Sequence, residues 1–225
     1  MAQYAIITMT QAERAALWQR RLFEAEAGMT RHLSREHGGQ DVADWIQIRS
    51  RIFADLPEPD TGDPVAWQRV FFRAQALMEQ FLVSRYGHAE LRLWAQASAE
   101  VHRLVEPDGD DGALGPILRL ARQAELYGSD YALLETGTDH AALRIEHCAI
   151  WDYRERARSR GVPLTLARPC DYCTLAAGSN IAAKGYTPAF ELTGGEGEHG
   201  CRWEATAPRP AGPVQAAGRE TGREN

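Results

Sequence analysis

Lysine is nearly missing from this chain, because Lys184 is the only lysine among 225 residues and arginine supplies the other basic side chains. The formal net charge of -6 lacks the basic excess that a nucleic-acid-binding surface needs to neutralise phosphates. No apolar run approaches the roughly 20 residues that cross a bilayer. The start, Met1 to Tyr4, also lacks the basic and apolar regions of a signal peptide. We therefore expect a cytoplasmic protein that binds neither nucleic acid nor membrane.

Familiar catalytic motifs are missing too. The sequence contains no Walker-type loop, no Rossmann fingerprint, no G-x-S-x-G elbow and no H-E-x-x-H pair. The glycine-rich run Gly194 to Gly197 precedes a predicted strand rather than a helix, so it lacks the dipole of a phosphate-binding loop. We interpret it as a flexible hairpin, and the absences together argue against several common enzyme classes.

The first 127 residues have the pattern of helices. Thr10 and Glu13 have the spacing of a capping box, in which each side chain accepts the backbone N–H of the other residue. Apolar residues then recur at helical spacing as far as Leu33, before Gly38-Gly39. Asp63-Pro64 is typical of another helix start, with an aspartate cap and a proline in the first turn.

The pattern changes in residues 128–206. Apolar stretches from Tyr131 to Glu135 and from Ala142 to Glu146 flank a turn-rich segment and predict a β-hairpin. Helices are predicted from about Trp151 to Arg160 and from Cys170 to Ala183, before two more short strands. We therefore predict an α+β fold, in which a helical N-terminal half packs on a small antiparallel sheet with helices in the C-terminal half.

The domain organisation follows from the absence of a linker between the two parts. Residues 1–206 are predicted to form a single composite domain, with 1–127 as its helical part and 128–206 as its cysteine-containing part. Residues 207–225 are rich in proline, glycine and charge and have almost nothing to bury, so we expect a disordered tail.

Four cysteines are the strongest functional feature of the sequence. Cys170 and Cys173 form a C-x-x-C pair at a predicted helix start, where the helix N-terminus favours the thiolate. Cys148 ends a predicted strand and Cys201 begins another, so all four can meet at one corner. Zinc takes four such ligands in a tetrahedron. Three interpretations stay open: a shared metal or redox site, a single nucleophile among structural thiols, or inert buried thiols.

Acid and base candidates lie beside the cysteines. His147 is close in sequence to Asp152, and the two can activate a water or the thiol of Cys173. His147 and His199 can each replace a cysteine as a metal ligand, and Asn180 can donate or accept a hydrogen bond with a substrate. The alternative for each is a surface residue that only makes hydrogen bonds with its neighbours.

The cysteine placement from Tyr131 to Thr206 resembles the L-2-amino-thiazoline-4-carboxylic acid hydrolase family. The matching features are the strand leading to His147-Cys148, the helix ending in Ser159-Arg160-Gly161, the run from Pro169 to Cys173, and Gly200 to Trp203 after a glycine-bearing turn. The layout is also similar to small-molecule-binding domains named after 4-vinyl reductase, some of which bind zinc through cysteines. The likeness covers about a third of the chain.

The resemblance implies a bacterial protein that binds a small, amino-acid-derived molecule in a pocket between helices and sheet. The leading hypothesis is an enzyme that opens the C–N bond of a cyclic amidine, in a natural-product pathway or elsewhere. Either a cysteine attacks the C=N carbon, or a zinc-activated water does so. A zinc-stabilised ligand-binding or sensor domain is the second hypothesis, and a redox-responsive dithiol protein is the third. A homodimer is left open.

Overall fold

The computed structural model describes residues 7–58, 62–106, 109–194 and 199–208. Within these ranges the chain forms seven helices and one four-stranded antiparallel sheet, which confirms the predicted α+β fold. The elements in chain order are α1 (Gln11–Glu36), α2 (Val42–Phe53), α3 (Pro64–Tyr86), α4 (Glu90–Val105), α5 (Leu114–Tyr127), β1 (Asp130–Thr136), β2 (His140–His147), α6 (Ala149–Ser159), α7 (Cys170–Ala183), β3 (Thr187–Thr193) and β4 (Gly200–Thr206).

Two of the sequence interpretations cannot be compared with these elements. The predicted disordered tail falls mainly on residues 209–225, and the predicted glycine hairpin falls mainly on residues 195–198; both lie outside the described residues. Among the helices that are described, none has the length and apolar character needed to cross a membrane.

The helix starts follow the capping chemistry of the sequence. The side chain of Thr10 accepts the backbone N–H of Glu13, whose carboxylate accepts the N–H of Thr10, so the predicted capping box is confirmed. The Asp63 carboxylate likewise accepts two N–H groups in the first turn of α3. Helix α2 ends at Phe53, and α5 begins at Leu114 without a side-chain cap.

The sheet has the strand order β1-β2-β4-β3, so β1 and β3 are its edges. Pro188 lies in β3, where the lost N–H costs little because an edge strand pairs on one side only. In the centre, Leu143 of β2 is opposite Trp203 of β4, and Ile145 is opposite Cys201. This register sets Cys201 at the end of β4 that lies near the start of α6.

Two hydrophobic cores are present, and residues of α7 contribute to both. The first is formed mainly by α1, α3 and α4, with Trp18 and Trp94 almost fully buried. The second lies between α5, α7 and the sheet, and contains Ile117 and Trp203. Helix α7 joins them, because it packs along α4 and its Tyr172 ring stacks on Trp94 with centroids 4.2 Å apart. The helical half is therefore in direct contact with the cysteine-containing half.

Helices α1 and α4 approach each other closely at Gly28. A Cβ atom placed there would lie 2.8 Å from the Cα of Ser98, a distance that real Cβ atoms essentially never show. Gly178 in α7 is different, because the nearest atom to an added Cβ is 4.0 Å away, on Trp203.

We expect Gly28→Ala to lower the free energy of unfolding by about 1–3 kcal/mol, since the added methyl group forces the two helices apart. Gly178→Ala is the matched control, and should be neutral or stabilising by up to about 1 kcal/mol through helix propensity. Urea denaturation of both variants checks the difference. Equal stability of Gly28→Ala and the parent chain would contradict the close helix contact.

Candidate functional site

All four cysteines line one small cavity, which we call the thiol cavity. Cys148 is the N-cap residue of α6, Cys170 and Cys173 lie in the first turn of α7, and Cys201 lies in β4. The cavity has a volume of about 50 Å³ and its wall is mostly apolar, with Trp203 among the contacting residues. The fold therefore brings the four predicted metal ligands to one place in the structure.

The spacing of these sulfurs is wider than a closed zinc site requires. With zinc–sulfur bonds of about 2.3 Å, tetrahedral ligands lie roughly 3.8 Å apart. Among the described residues, no three of these cysteines have all their sulfur atoms within 4.8 Å of one another. The four thiols match zinc in donor chemistry but do not match it in geometry, so the zinc site stays a prediction.

Burial keeps three of these thiols in the neutral form. It raises the pKa of Cys173 far above the usual thiol value, and the neighbouring thiols Cys148, Cys201 and Cys170 raise it further. Burial also raises the pKa of Cys201 to about 12 and raises the pKa of Cys148. The expectation that a helix start favours the thiolate is wrong for Cys173, because loss of solvation outweighs the helix dipole.

His147 and Asp152 pair with each other but lie away from this cavity. His147 Nε2 is 2.8 Å from the Asp152 carboxylate, so the predicted proximity is correct. Their side chains are 45% and 42% exposed, and neither residue lines a cavity beside the cysteines. His199 stacks on Trp151, with ring centroids 3.8 Å apart. Their catalytic and metal-binding roles stay predictions, and the cavity geometry adds no support for them.

A larger cavity lies beside the thiol cavity, and we call it the arginine chamber. It has a volume of about 150 Å³ and is lined by side chains from α1, α3, α4, α5, α6 and α7. Its polar lining includes three arginines, Arg21, Arg119 and Arg154, together with Glu24, His102 and Asn180. The chamber therefore lies where the two hydrophobic cores meet.

The arginines of this chamber carry unused hydrogen-bond donors. Arg21, Arg119 and Arg154 are each only 7% exposed. The Nε atoms of Arg21 and Arg119 and one Nη atom of Arg154 have no partner in the protein, and neither has Oδ1 of Asn180. Buried polar atoms almost always have a partner, because an unmade hydrogen bond costs about 1–3 kcal/mol. The unused donors indicate that a ligand or ordered water completes the chamber.

Ion pairs hold the same guanidinium groups in place through their other nitrogen atoms. Arg21 Nη1 is 2.8 Å from the Glu24 carboxylate, and Arg119 Nη1 is 2.6 Å from Glu106. Arg154 makes a two-pronged contact of 2.6 and 2.8 Å with Glu79, which is 1% exposed. Of these carboxylates only Glu24 lines the chamber, so the lining itself has more positive than negative groups.

Proton-carrying groups are also present in the chamber. Burial raises the pKa of Glu24 above its usual value, although Arg21 opposes the shift. His102 Nδ1 lies 3.1 Å from the same carboxylate. Burial lowers the pKa of Arg119, which reflects how far this guanidinium is from solvent. Glu24 and His102 are therefore the acid–base pair that the fold places next to the unused donors.

The chamber and the thiol cavity adjoin. Cys173, Tyr127 and Gln123 line both of them, and Gln123 Nε2 donates to the Tyr127 hydroxyl over 3.1 Å. Burial raises the pKa of Tyr127, so its hydroxyl keeps its proton. Cys173 is the one cysteine among the four that contacts both spaces. Of the predicted catalytic residues it is therefore the one at the centre of the site.

The sequence interpretation missed the arginines, although the pattern contained them. Arg21 lies three residues after Trp18 and four before Ala25, so it falls on the apolar face of α1. A charged residue in such a stripe is unusual, because burying a charge is costly unless it is paired. Asn180 was singled out as a ligand-binding candidate, and it does line the chamber.

Comparison with known proteins does not assign the chain to a family. No protein-family model, no curated protein and no solved structure matches the chain. The resemblance to the aminothiazoline-carboxylate hydrolases is therefore neither supported nor contradicted, and functional assignment depends on the geometry of the two cavities.

Proposed function

We propose that the protein is an enzyme that acts on a C–N bond of a small, amino-acid-derived carboxylate, as the aminothiazoline-carboxylate hydrolases do. One observation carries the proposal: three buried arginines with unused donors line a chamber whose wall includes Cys173. Guanidinium groups bind carboxylates through paired, charge-assisted hydrogen bonds. The net charge of the protein is negative. The local positive charge of the arginines, rather than the overall charge, therefore selects an anionic ligand.

The size of the chamber limits the ligand to a small ring or chain. A cavity of roughly the chamber's volume, about 150 Å³, accepts a benzene ring. A five-membered heterocycle with one carboxylate fills the chamber and extends towards the thiol cavity. With its carboxylate at the arginines, the opposite side of the ring faces the region that Cys173 and Tyr127 share.

Hydrolysis can proceed through Cys173 without a free thiolate. The neutral S–H adds across the C=N bond: the C–S bond forms, the π electrons move to nitrogen, and nitrogen takes the proton. Water then replaces sulfur at the same carbon and returns a proton to Cys173. The C–N bond of the resulting carbinolamine breaks, which gives a carbonyl group and an amine. In this proposal Glu24 and His102, which line the same chamber as Cys173, move the protons in these steps.

A second candidate is a ligand-binding or sensor domain that zinc stabilises, without catalysis. The observation in its favour is that four thiols from α6, α7 and β4 line one cavity. A closed four-cysteine site leaves no position for a reacting water. This candidate needs the sulfurs to draw together around the metal. It requires a zinc that is bound through sulfur and that is lost, together with the fold, in a Cys170→Ser/Cys173→Ser variant.

We expect L-2-amino-thiazoline-4-carboxylate to bind about 10- to 100-fold more tightly than the same ring without its carboxylate, because charge-assisted hydrogen bonds contribute about 1.5–3 kcal/mol. Isothermal titration calorimetry of the full chain in a Cys173→Ala background, where the proposed reaction is blocked, measures both dissociation constants. Arg119→Gln should remove most of the difference, whereas Arg122→Gln, an exposed arginine on the same helix, should keep it. Equal affinity for the two rings would argue against the arginine chamber as the binding site.

A further inference from the structure

A second group of polar side chains lies far from the cysteines in sequence, where the end of α1 meets the start of α4. His32 lies in the last turns of α1, His37 is its C-cap residue, and Glu90 is the first residue of α4. One ligand atom from each lies within 4.8 Å of the other two, and the described residues contain no other group of three with this property. The Glu90 carboxylate is 2.7 Å from His37 Nε2 and 3.2 Å from His32 Nε2.

The buried histidine of this group lacks the partners that buried polar atoms normally have. His32 is 0% exposed, yet neither of its ring nitrogens makes a hydrogen bond. Its Nε2 is near Glu90 but is not oriented to form one. An ion between the three side chains would bond this nitrogen directly. The unpartnered imidazole therefore indicates a ligand at this position independently of the clustering.

The surroundings hold the other ligands in a fixed orientation. The His37 ring stacks on Tyr86 with centroids 3.7 Å apart and meets the His32 ring edge to face at 5.4 Å. The Tyr86 hydroxyl donates to Asp41, which also pairs with Arg85. These ring contacts restrict the rotation of the His37 imidazole. The His37 and Glu90 side chains are 20% and 15% exposed, which leaves a route for the ion from solvent.

We propose that His32, His37 and Glu90 bind one divalent transition-metal ion of the zinc class. Two imidazole nitrogens and one carboxylate are the protein ligands of several catalytic zinc centres, in which water takes the fourth position. Bond lengths of about 2.0–2.1 Å put tetrahedral ligand atoms roughly 3.4 Å apart. The observed separations need only small side-chain shifts to reach this value. The ion also links the end of α1 to the start of α4, so it stabilises the helical half.

Zinc binding to the full chain tests the site, with three variants for comparison. His37→Asn and Glu90→Gln each remove one ligand, and both positions are partly exposed, so the fold should persist. His88→Asn is the matched control, because His88 is exposed and lies two residues before Glu90. After equilibrium dialysis, elemental analysis should show one zinc equivalent fewer in His37→Asn and Glu90→Gln than in the parent chain and in His88→Asn.

Spectroscopy and stability give two more readouts of the same site. Zinc-edge X-ray absorption of the parent chain should contain nitrogen or oxygen neighbours at about 2.0–2.1 Å that His37→Asn loses, whether or not sulfur is also present at about 2.3 Å. Zinc at about 100 times its Kd should raise the Tm by roughly 5–10 °C, and less in His37→Asn. Equal zinc content in all four proteins, or sulfur neighbours alone, would overturn the proposal.

Discussion

Cys173→Ala is expected to reduce turnover of the carboxylate substrate by at least about a thousandfold, while the dissociation constant of that substrate changes by no more than a few fold. The reason is that Cys173 is the nucleophile of the proposed mechanism, whereas the carboxylate is bound by arginines in the adjoining chamber. Loss of the attacking group removes covalent catalysis but leaves substrate binding unchanged. Steady-state kinetics should therefore show a lower kcat without a corresponding change in KM.

Cys201→Ala is the control for this variant. Cys201 lines the thiol cavity without contacting the arginine chamber, and its substitution removes the same atom from a similarly apolar wall. Turnover by Cys201→Ala should stay within about tenfold of the parent value, since no reacting group is lost. A comparable loss in both variants, with one zinc lost from each, would favour the structural zinc site. Full activity of Cys173→Ala would contradict the nucleophilic role.

Arg154→Met is expected to lower the free energy of unfolding by about 3–5 kcal/mol. Arg154 of α6 contacts both carboxylate oxygens of Glu79 in α3, and the glutamate is 1% exposed. Removing the guanidinium leaves a carboxylate in the interior with no compensating charge. Because this pair links the helical part to the cysteine-containing part, chemical denaturation and hydrogen exchange in α6 should both report the loss.

Two further variants test whether the loss of stability comes from breaking the Arg154–Glu79 ion pair. Glu79→Leu combined with Arg154→Met should recover most of the lost stability, because replacing both charges leaves no unpaired group. Arg156→Met, an exposed residue on the same helix, should change stability by less than about 0.5 kcal/mol. A double variant as unstable as Arg154→Met alone would show that the pair is not the source of the destabilisation. The double variant should still bind the carboxylate less tightly, since Arg154 also lines the chamber.

Local chemistry explains why the fold could be predicted from the sequence. The Thr10–Glu13 capping box and the Asp63 cap act within a few residues, so the pattern indicates both helix starts directly. The helix from Cys170 to Ala183 has the predicted ends. Strand ends differ by one or two residues because the sheet register, rather than local propensity, decides how far pairing continues.

The arginine chamber could not be predicted in this way. Arg154 has its partner 75 positions earlier in the chain, and Arg21 reaches Glu106 from a different helix. Such pairs are set by helix packing and have no local pattern. For His147 and Asp152, closeness in sequence correctly predicts that the two side chains are in contact. It does not predict that both side chains are exposed. Helix α6 carries several charged residues, and its local pattern does not indicate that Arg154 is the one that is buried.

A crystal structure of the Cys173→Ala variant with L-2-amino-thiazoline-4-carboxylate tests the central claim most directly. The ligand carboxylate should lie within about 2.7–3.2 Å of a nitrogen of Arg21, Arg119 or Arg154, with the ring extending towards position 173. The unused donors of the three arginines should then have a partner. A ligand bound elsewhere, or a chamber that contains only water at a concentration where calorimetry shows saturation, would contradict it.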